Sequence, residues 1–515
     1  MAKQRSEHLN TAFNVICSVG VLVINLCISF FLSPYIIRTI GVEANGFVSL
    51  ANNFITYADL IVTALNAMAA RFVTIEYVQG NYKKANLYYN SVFWGNLIIV
   101  GALLIPAAFL IVRLQYVINV PSNILTDVKI LFSIAFLGFF IRTGAPNYDC
   151  GTYVKNRMDL SYLPSIGTAL FRCASLVCIF SILAPHVWYV GFVSFLVTLI
   201  TLLIARYNTH RLTPELRVHL RNPICSWSAI RELVGAGIWS SIANGGYMLL
   251  NGLDLLICNM FIGATPMGVL SLSKTLPSIL IQLSDSIRGA FGPELTISFA
   301  RGDKDNILFC LKRAMKITSV VVTIPAAGLV VMSDAFYHLW VPSQDARLLQ
   351  ILTTLAILSY LVNSGVVILF NVFSTVNKVK YNSVAMLISG GASILITLLL
   401  IYFTDLDIYA VAGVSSIMTI CKNLFFTVPV AAKLLGYKWT QFYPQVAIST
   451  ISCALIVAVG FAVRQILPVN TWITFFLTSF VVGALALTIN MFLVLNKAER
   501  DYFISKFLKK KSNNA

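Results

Sequence analysis

The stretch TIGVEANGFVSLAN (Thr39 to Asn52) is written a second time as FIGATPMGVLSLSK (Phe261 to Lys274). Ile40-Gly41, Gly46 and Ser49-Leu50 reappear as Ile262-Gly263, Gly268 and Ser271-Leu272, each 222 residues later. The offset persists beyond this turn. TIEYVQGNYKKA from Thr74 aligns without a gap on TISFARGDKDNI from Thr296, so that Gly80 falls on Gly302 and Asn81 on Asp303. Farther on, IPAAFLIV from Ile105 matches IPAAGLVV from Ile324 at an offset of 219. Isolated matches between apolar helices arise by chance. Glycine turns at both ends of one helix, in one ungapped register, are hard to explain that way, so the chain reads as two copies of one unit.

Each unit is a bundle of membrane helices. Of the 515 residues, 58% are hydrophobic and only 11% charged, more apolar surface than a soluble protein can hide behind a polar shell. Apolar runs of about 20 residues, the length that spans a bilayer core, recur throughout. The first is read as a retained helix because no small-residue cleavage site follows it. Fourteen spans are expected, within 12–34, 46–70, 88–112, 126–146, 161–183, 187–205, 233–261, 267–291, 312–333, 348–373, 383–403, 409–434, 444–466 and 472–495. The fold class is therefore an all-α polytopic membrane protein. Helices 1–6 and 7–12 form two parallel six-helix repeats, related by an axis along the membrane normal because six is even. The expected organisation is an N-terminal lobe over 1–210, a basic cytoplasmic linker at 211–230 acting as a hinge, and a C-terminal lobe over 231–437. An appended pair, helices 13 and 14, occupies 438–496, and a basic tail follows at 497–515.

Charge tests this topology. With the N-terminus cytoplasmic, inner segments hold 28 of the 37 Lys and Arg, outer loops hold five, and four lie within spans. That asymmetry satisfies the positive-inside rule with both termini cytoplasmic, and one missed helix would destroy it. The net charge of +17 is thereby assigned to anionic membrane lipids as partners. No basic patch with interleaved aromatics supports a nucleic-acid partner. The ten cysteines avoid the outer loops and form no CxxC or Cys/His cluster, so neither disulfides nor a metal site is expected.

Transporters built from repeats hold cargo between their halves, so polar stripes should mark the path. On helix 7, Ser240, Asn244, Tyr247, Asn251 and Asp254 share one face, and three of the five positions 222 residues earlier (Ser18, Asn25, Ser29) are polar. On helix 8 the stripe is Lys274, Ser278, Ile281, Asp285 and Arg288. Its counterpart on helix 2 is Asn52, Thr56, Asp59, Thr63 and Asn66. At about 100° per residue, Lys274 and Asp285 differ by only about 20° around their helix. These stripes are read as walls of a water-accessible central cavity.

Seven ionisable side chains sit within spans: Asp59, Arg172, Asp254, Lys274, Asp285, Arg288 and Lys422. Each costs at least ~2.5–3.5 kcal/mol at mid-bilayer and needs a partner or water. Helix depth suggests two pairs, Asp254 with Lys274 and Asp59 with Arg172. Either could merely hold helices together. Asp285 and Arg288 lie near the inner end, where snorkelling is cheap, and Lys422 has no visible partner. Tyr57 and Tyr247 could stack on sugar rings or simply pack against a neighbour. Pro277 should kink helix 8. No P-loop, HExxH or GxSxG motif is present, and the longest outer loop has only about 15 residues, so no enzyme activity and no cofactor are expected.

IGVEANG and IGATPMG after helices 1 and 7 resemble the multidrug/oligosaccharidyl-lipid/polysaccharide (MOP) superfamily, as do QGNYKKA and RGDKDN after helices 2 and 8. NGLDLLI, placing Asp254 late in helix 7, and FGPEL, with Pro293 ending helix 8, add to the likeness. Within that superfamily the chain is most similar to the polysaccharide (Wzx-type) flippases. The resemblance implies two six-helix lobes in a V around a cationic cavity. It also implies transport of undecaprenyl-diphosphate-linked oligosaccharide from the inner to the outer leaflet of a bacterial cytoplasmic membrane. Alternating access, coupled to an ion gradient, would drive it, with other polysaccharide-assembly proteins as partners. Arg172, Lys274, Arg288 and Lys422, with Asn251 and Tyr247, would bind the substrate. Asp59, Asp254 and Asp285 would pair with those cations or couple ions. Fourteen spans also resemble lipid II flippases, but helix 1 carries no charge between His8 and Arg38, unlike the arginine-rich first helix of that family. Two rivals stand beside this reading: a drug/cation antiporter of the same superfamily, and a membrane polymerase or ligase of polysaccharide assembly.

Overall fold

The computed structural model describes residues 20–21, 24–25, 27–155, 157–218, 224–497 and 500. Among them every regular element is helical. Most of the basic tail and much of helix 1, including Ser18, lie outside the described residues. Eleven described helices are long and apolar enough to cross a membrane. Of the three other expected spans, the first is described only in part, as the apolar helix Cys27–Ile40. The seventh and eighth are interrupted helices. The chain divides into two units, one holding residues up to Gly245 together with Leu255–Gly268, the other holding Gly246–Asp254 and everything from Val269 onward.

The glycines of the repeated motif do the same conformational job at both sites. Gly41 and Gly263 have φ of 88° and 139°, Gly80 and Gly302 of 79° and 71°, all values that L side chains resist. The residue after the second glycine then caps a helix. Asn81 accepts a hydrogen bond from the Lys84 amide to start Tyr82–Val112, and Asp303 accepts one from Asn306 to start Lys304–Trp340.

In the first unit, Leu65, Val73, Tyr88, Tyr89 and Leu233 bury one core. Trp227–Tyr247 lies so close to Val42–Asn66 that a Cβ on Gly237 would collide with the Ala64 carbonyl oxygen. At the other end of Val42–Asn66, Gly46 meets Gly268 and the Thr265 hydroxyl donates to Glu43. The first part of the linker is strapped down rather than free. The Tyr77 hydroxyl donates to Glu215 at 2.7 Å, the Asn86 amide to the Glu215 carbonyl at 2.7 Å, and Asn90 to the Arg217 carbonyl at 2.8 Å. The Tyr77 hydroxyl holds the Glu215 carboxyl below the usual carboxylate range.

In the second unit, Lys304–Trp340 is the central post. Expected helices 13 and 14, Tyr443–Ile466 and Trp472–Leu493, pack on it through buried polar groups. Asn490 donates to Thr323 at 3.0 Å and accepts from Ser452 at 2.8 Å, while Ser449 donates to Ser319 at 2.6 Å. Arg464 grips both carboxylate oxygens of Asp334. Arg464→Met should therefore leave a three-quarters-buried carboxylate unpaired and lower the melting temperature of the detergent-solubilised protein, at a cost of about 3 kcal/mol or more. A scanning-fluorescence melt checks it.

Helices 7 and 8 differ from expectation. In helix 8 the interruption falls one turn before Pro277, at Lys274, between Ala264–Ser273 and Thr275–Ala300. Pro277 offers no N–H to the Ser273 carbonyl. The buried hydroxyls of Tyr337 and Thr353 take that oxygen instead, at 3.3 and 3.1 Å. Nor does Pro293 end the helix, which runs on to Ala300 and stops at the Gly302 turn. One missing ladder bond is tolerable in a bundle whose neighbours satisfy the backbone. Helix 7 runs from Trp227 to Tyr247, widens into a π-helical turn at Met248–Gly252, and resumes at Asp254–Phe261.

Candidate functional site

The interrupted helices place the expected ion pair. Asn251 lies in the π-helical turn Met248–Gly252, where the ladder departs from the α-helical pattern. The Lys274 ammonium, at the break in helix 8, donates to that oxygen at 3.3 Å and to the Asp254 carboxylate. Asp254 is 8% exposed, whereas the Lys274 side chain keeps 27% of its surface open. The pairing read from helix depth is thus present, and the backbone supplies a third polar group. About three and four turns beyond Lys274 along Thr275–Ala300, Asp285 and Arg288 pair with each other at 3.1 Å, and the Asn371 amide donates to the Arg288 carbonyl at 2.8 Å. Tyr247 is half-exposed and lies within the electrostatic reach of Asp254, Asp285 and Arg288. Asn251, Tyr247, Asp254, Lys274, Asp285 and Arg288 therefore form one polar region of the second unit.

The expected Asp59–Arg172 pair is not formed. Asp59 faces Arg142 at 3.4 Å, and Arg172 has a buried Nε without a hydrogen-bond partner. Depth matched, but direction did not. Val42–Asn66 packs against Leu125–Gly144, which carries Arg142, while Asp159–Ile182, which carries Arg172, packs against Trp188–Leu212. Asp59 and Arg142 line a cavity of about 540 Å³ in the first unit, with Asn66, Asn96, Asp149 and Thr201 in its wall. Asn66 and Asn96 exchange hydrogen bonds at 3.1 and 3.2 Å, which fixes both amides in that wall. The Arg142 and Asp59 side chains are 59% and 46% exposed, so solvent screens their attraction to at most about 1 kcal/mol. Arg142 can exchange this partner for a ligand anion at little cost. Asp149 opens on the cavity, yet the protein around it displaces enough water to push its carboxyl above the usual range, against the pull of Arg142.

Sequence reasoning missed Arg142. It lay inside the expected span 126–146 but was counted among the inner-loop charges. Lys422 stands apart from the cluster around Lys274, beside the Phe370 ring at 4.5 Å.

No family model matches the chain. Over 500 residues it is 25% identical to the uncharacterized membrane protein EpsK of Bacillus subtilis (strain 168), covering 97% of this chain and 98% of that one. Among solved structures, the lipid II flippase MurJ in an inward closed conformation superposes with a TM-score of 0.66 at 11% identity, over 93% of this chain and 98% of its own. An inward-facing multidrug resistance transporter of the MATE family, of the MOP superfamily, gives 0.58 at 10% identity, over 85% and 98%. The fold is that of MOP-superfamily transporters. These neighbours are transporters rather than enzymes, and the apolar helices make the chain a multi-pass membrane protein.

Proposed function

We propose that the protein is a flippase. Its cargo is an oligosaccharide linked to a polyprenyl diphosphate, carried from the inner to the outer leaflet for surface polysaccharide assembly. The observation that carries this reading is Arg142, an exposed guanidinium in the wall of a cavity that Asp59, Asn66, Asn96 and Asp149 also line, weakly held by Asp59. A guanidinium placed so suits a diphosphate, which it binds by charge-assisted, bidentate hydrogen bonds. Lys274 and Arg288 offer further cations from the second unit. The lipid II flippase named among the structural neighbours supports a lipid-linked cargo. Two copies of one six-helix unit, alternating access coupled to an ion gradient, and both ends in the cytoplasm complete the proposal.

Contact between equivalent positions supports the duplication. Gly46 touches Gly268 and Glu43 touches Thr265, each pair separated by 222 residues. Isologous contacts of this kind arise where two like segments meet about a local two-fold.

The test is reconstitution in liposomes with a fluorescent undecaprenyl-diphosphate oligosaccharide, with outer-leaflet exposure read by dithionite quenching. Arg142→Met is expected to slow translocation about 10- to 100-fold, the worth of a charged hydrogen bond of about 1.5–3 kcal/mol. An unchanged rate would remove Arg142 from the path; no translocation by the wild type, with extrusion of a cationic dye by the same liposomes, would instead make the protein a drug/cation antiporter.

Asp149 sets the pH dependence. Its raised carboxyl becomes neutral on acidification before an ordinary aspartate would, leaving the Arg142 charge less opposed. Pyrophosphate binding to the purified protein, followed by calorimetry, should tighten as pH falls through that range, and Asp149→Asn should flatten the profile.

A further inference from the structure

The second unit carries a groove of about 700 Å³ bordered by the start of Val379–Phe403 and by the junction of Asp407–Lys422 with its following turn. Lys422 forms its floor. This side chain is 5% exposed, and its ammonium makes no hydrogen bond. The Phe370 ring at 4.5 Å offsets part of its desolvation, but no carboxylate pairs with it among the described residues. A buried ammonium left in this state is costly, and it lacks an anion.

The groove is built for one with a hydrocarbon body. Val384, Ile388 and Phe425 line it and are 39%, 66% and 79% exposed, an apolar wall turned away from the core. Phe425 sits in a π-helical turn, Asn423–Thr427, that begins immediately after Lys422 and widens the helix at the groove. Lys378 and Lys380, both exposed, also line it where the chain turns into Val379–Phe403. No acidic side chain lines the groove. Three cations and an apolar wall complement an amphiphile with an anionic head.

We propose that this groove holds an anionic phospholipid of the bilayer. Its phosphate lies among Lys378, Lys380 and Lys422, and an acyl chain runs along Val384, Ile388 and Phe425. Lys422 thereby serves a lipid bound to the second unit, and the assignment does not depend on the flippase reading.

Native mass spectrometry of the full-length protein, delipidated in detergent and offered phosphatidylglycerol, phosphatidylcholine or undecaprenyl phosphate, tests it. Wild type should retain one phosphatidylglycerol and prefer it over phosphatidylcholine at least tenfold. Lys422→Met, which keeps the side chain's bulk and removes its charge, should reduce retention at least tenfold without lowering the melting temperature. Lys378→Ala with Lys380→Ala, both exposed positions, should weaken binding while leaving the fold intact. Equal retention by the Lys422→Met protein, equal binding of phosphatidylcholine, or preferential uptake of undecaprenyl phosphate would each overturn the assignment.

Discussion

Lys274→Met should lower the melting temperature of the purified protein steeply and stop translocation, whereas Asp254→Asn combined with Lys274→Met should restore the melt but not the transport. Asp254 is 8% exposed, and it pairs with the Lys274 ammonium, which also donates to the Asn251 carbonyl. Removing only the cation strands a buried carboxylate, at a cost of about 3–5 kcal/mol. For a unit of this size that is a fall of roughly 6–20 °C, at about 2–4 °C per kcal/mol. Neutralising both partners removes the stranded charge, and buried pairs replaced by neutral groups of like volume are often no less stable. Transport answers a different question. The Lys274 side chain keeps part of its surface open at the break between Ala264–Ser273 and Thr275–Ala300, so in the proposed mechanism it meets the cargo's diphosphate. A double variant that both melts and translocates like wild type would make the pair structural only and remove Lys274 from the path.

What could be read in the sequence is what local chemistry decides. A glycine at positive φ is needed by the turn itself, so Gly41, Gly80, Gly263 and Gly302 announced their turns. Helix rise converts residue number into depth, which is why Asp254 and Lys274 could be matched. Depth says nothing about direction around the bundle, and that is where Asp59 and Arg172 failed. Which helix stands beside Val42–Asn66 is a tertiary fact, and it gave Asp59 to Arg142. The same holds for Asp334 and Arg464, whose 130-residue separation carries no local signal. The interruption of helix 7 was equally hidden. Its π-helical turn follows a close crossing, in which a Cβ on Gly246 would meet the Leu387 amide at 2.5 Å and one on Gly390 the Gly246 carbonyl at 2.7 Å. Pro277 did give a sign of the break in helix 8. The displacement to Lys274 came from Tyr337 and Thr353, which capture the carbonyl that Pro277 cannot serve.

Gly46→Ala and Gly268→Ala are each expected to destabilise the protein by about 1–3 kcal/mol, the usual cost of overpacking, and the double variant by little more than the worse of the two. A Cβ on Gly268 would lie 2.6 Å from the Val42 carbonyl oxygen, and one on Gly46 would lie 2.8 Å from the Gly268 Cα. Both obstacles are backbone, which cannot swing aside as a side chain could. The two segments must therefore separate, losing the close approach that small residues permit between membrane helices and the Thr265–Glu43 hydrogen bond beside it. Once either methyl has forced that separation, the second enters space already opened, so the energies cannot add. Gly80→Ala is the control. Nothing lies within 4 Å of its Cβ position, and its φ of 79° makes the cost one of local backbone strain alone. Its effect should add to that of either contact glycine. Melting temperatures of the three single and three double proteins decide the matter. Strict additivity between Gly46→Ala and Gly268→Ala would show that the two glycines do not share one contact, and the local two-fold inferred from it would fall.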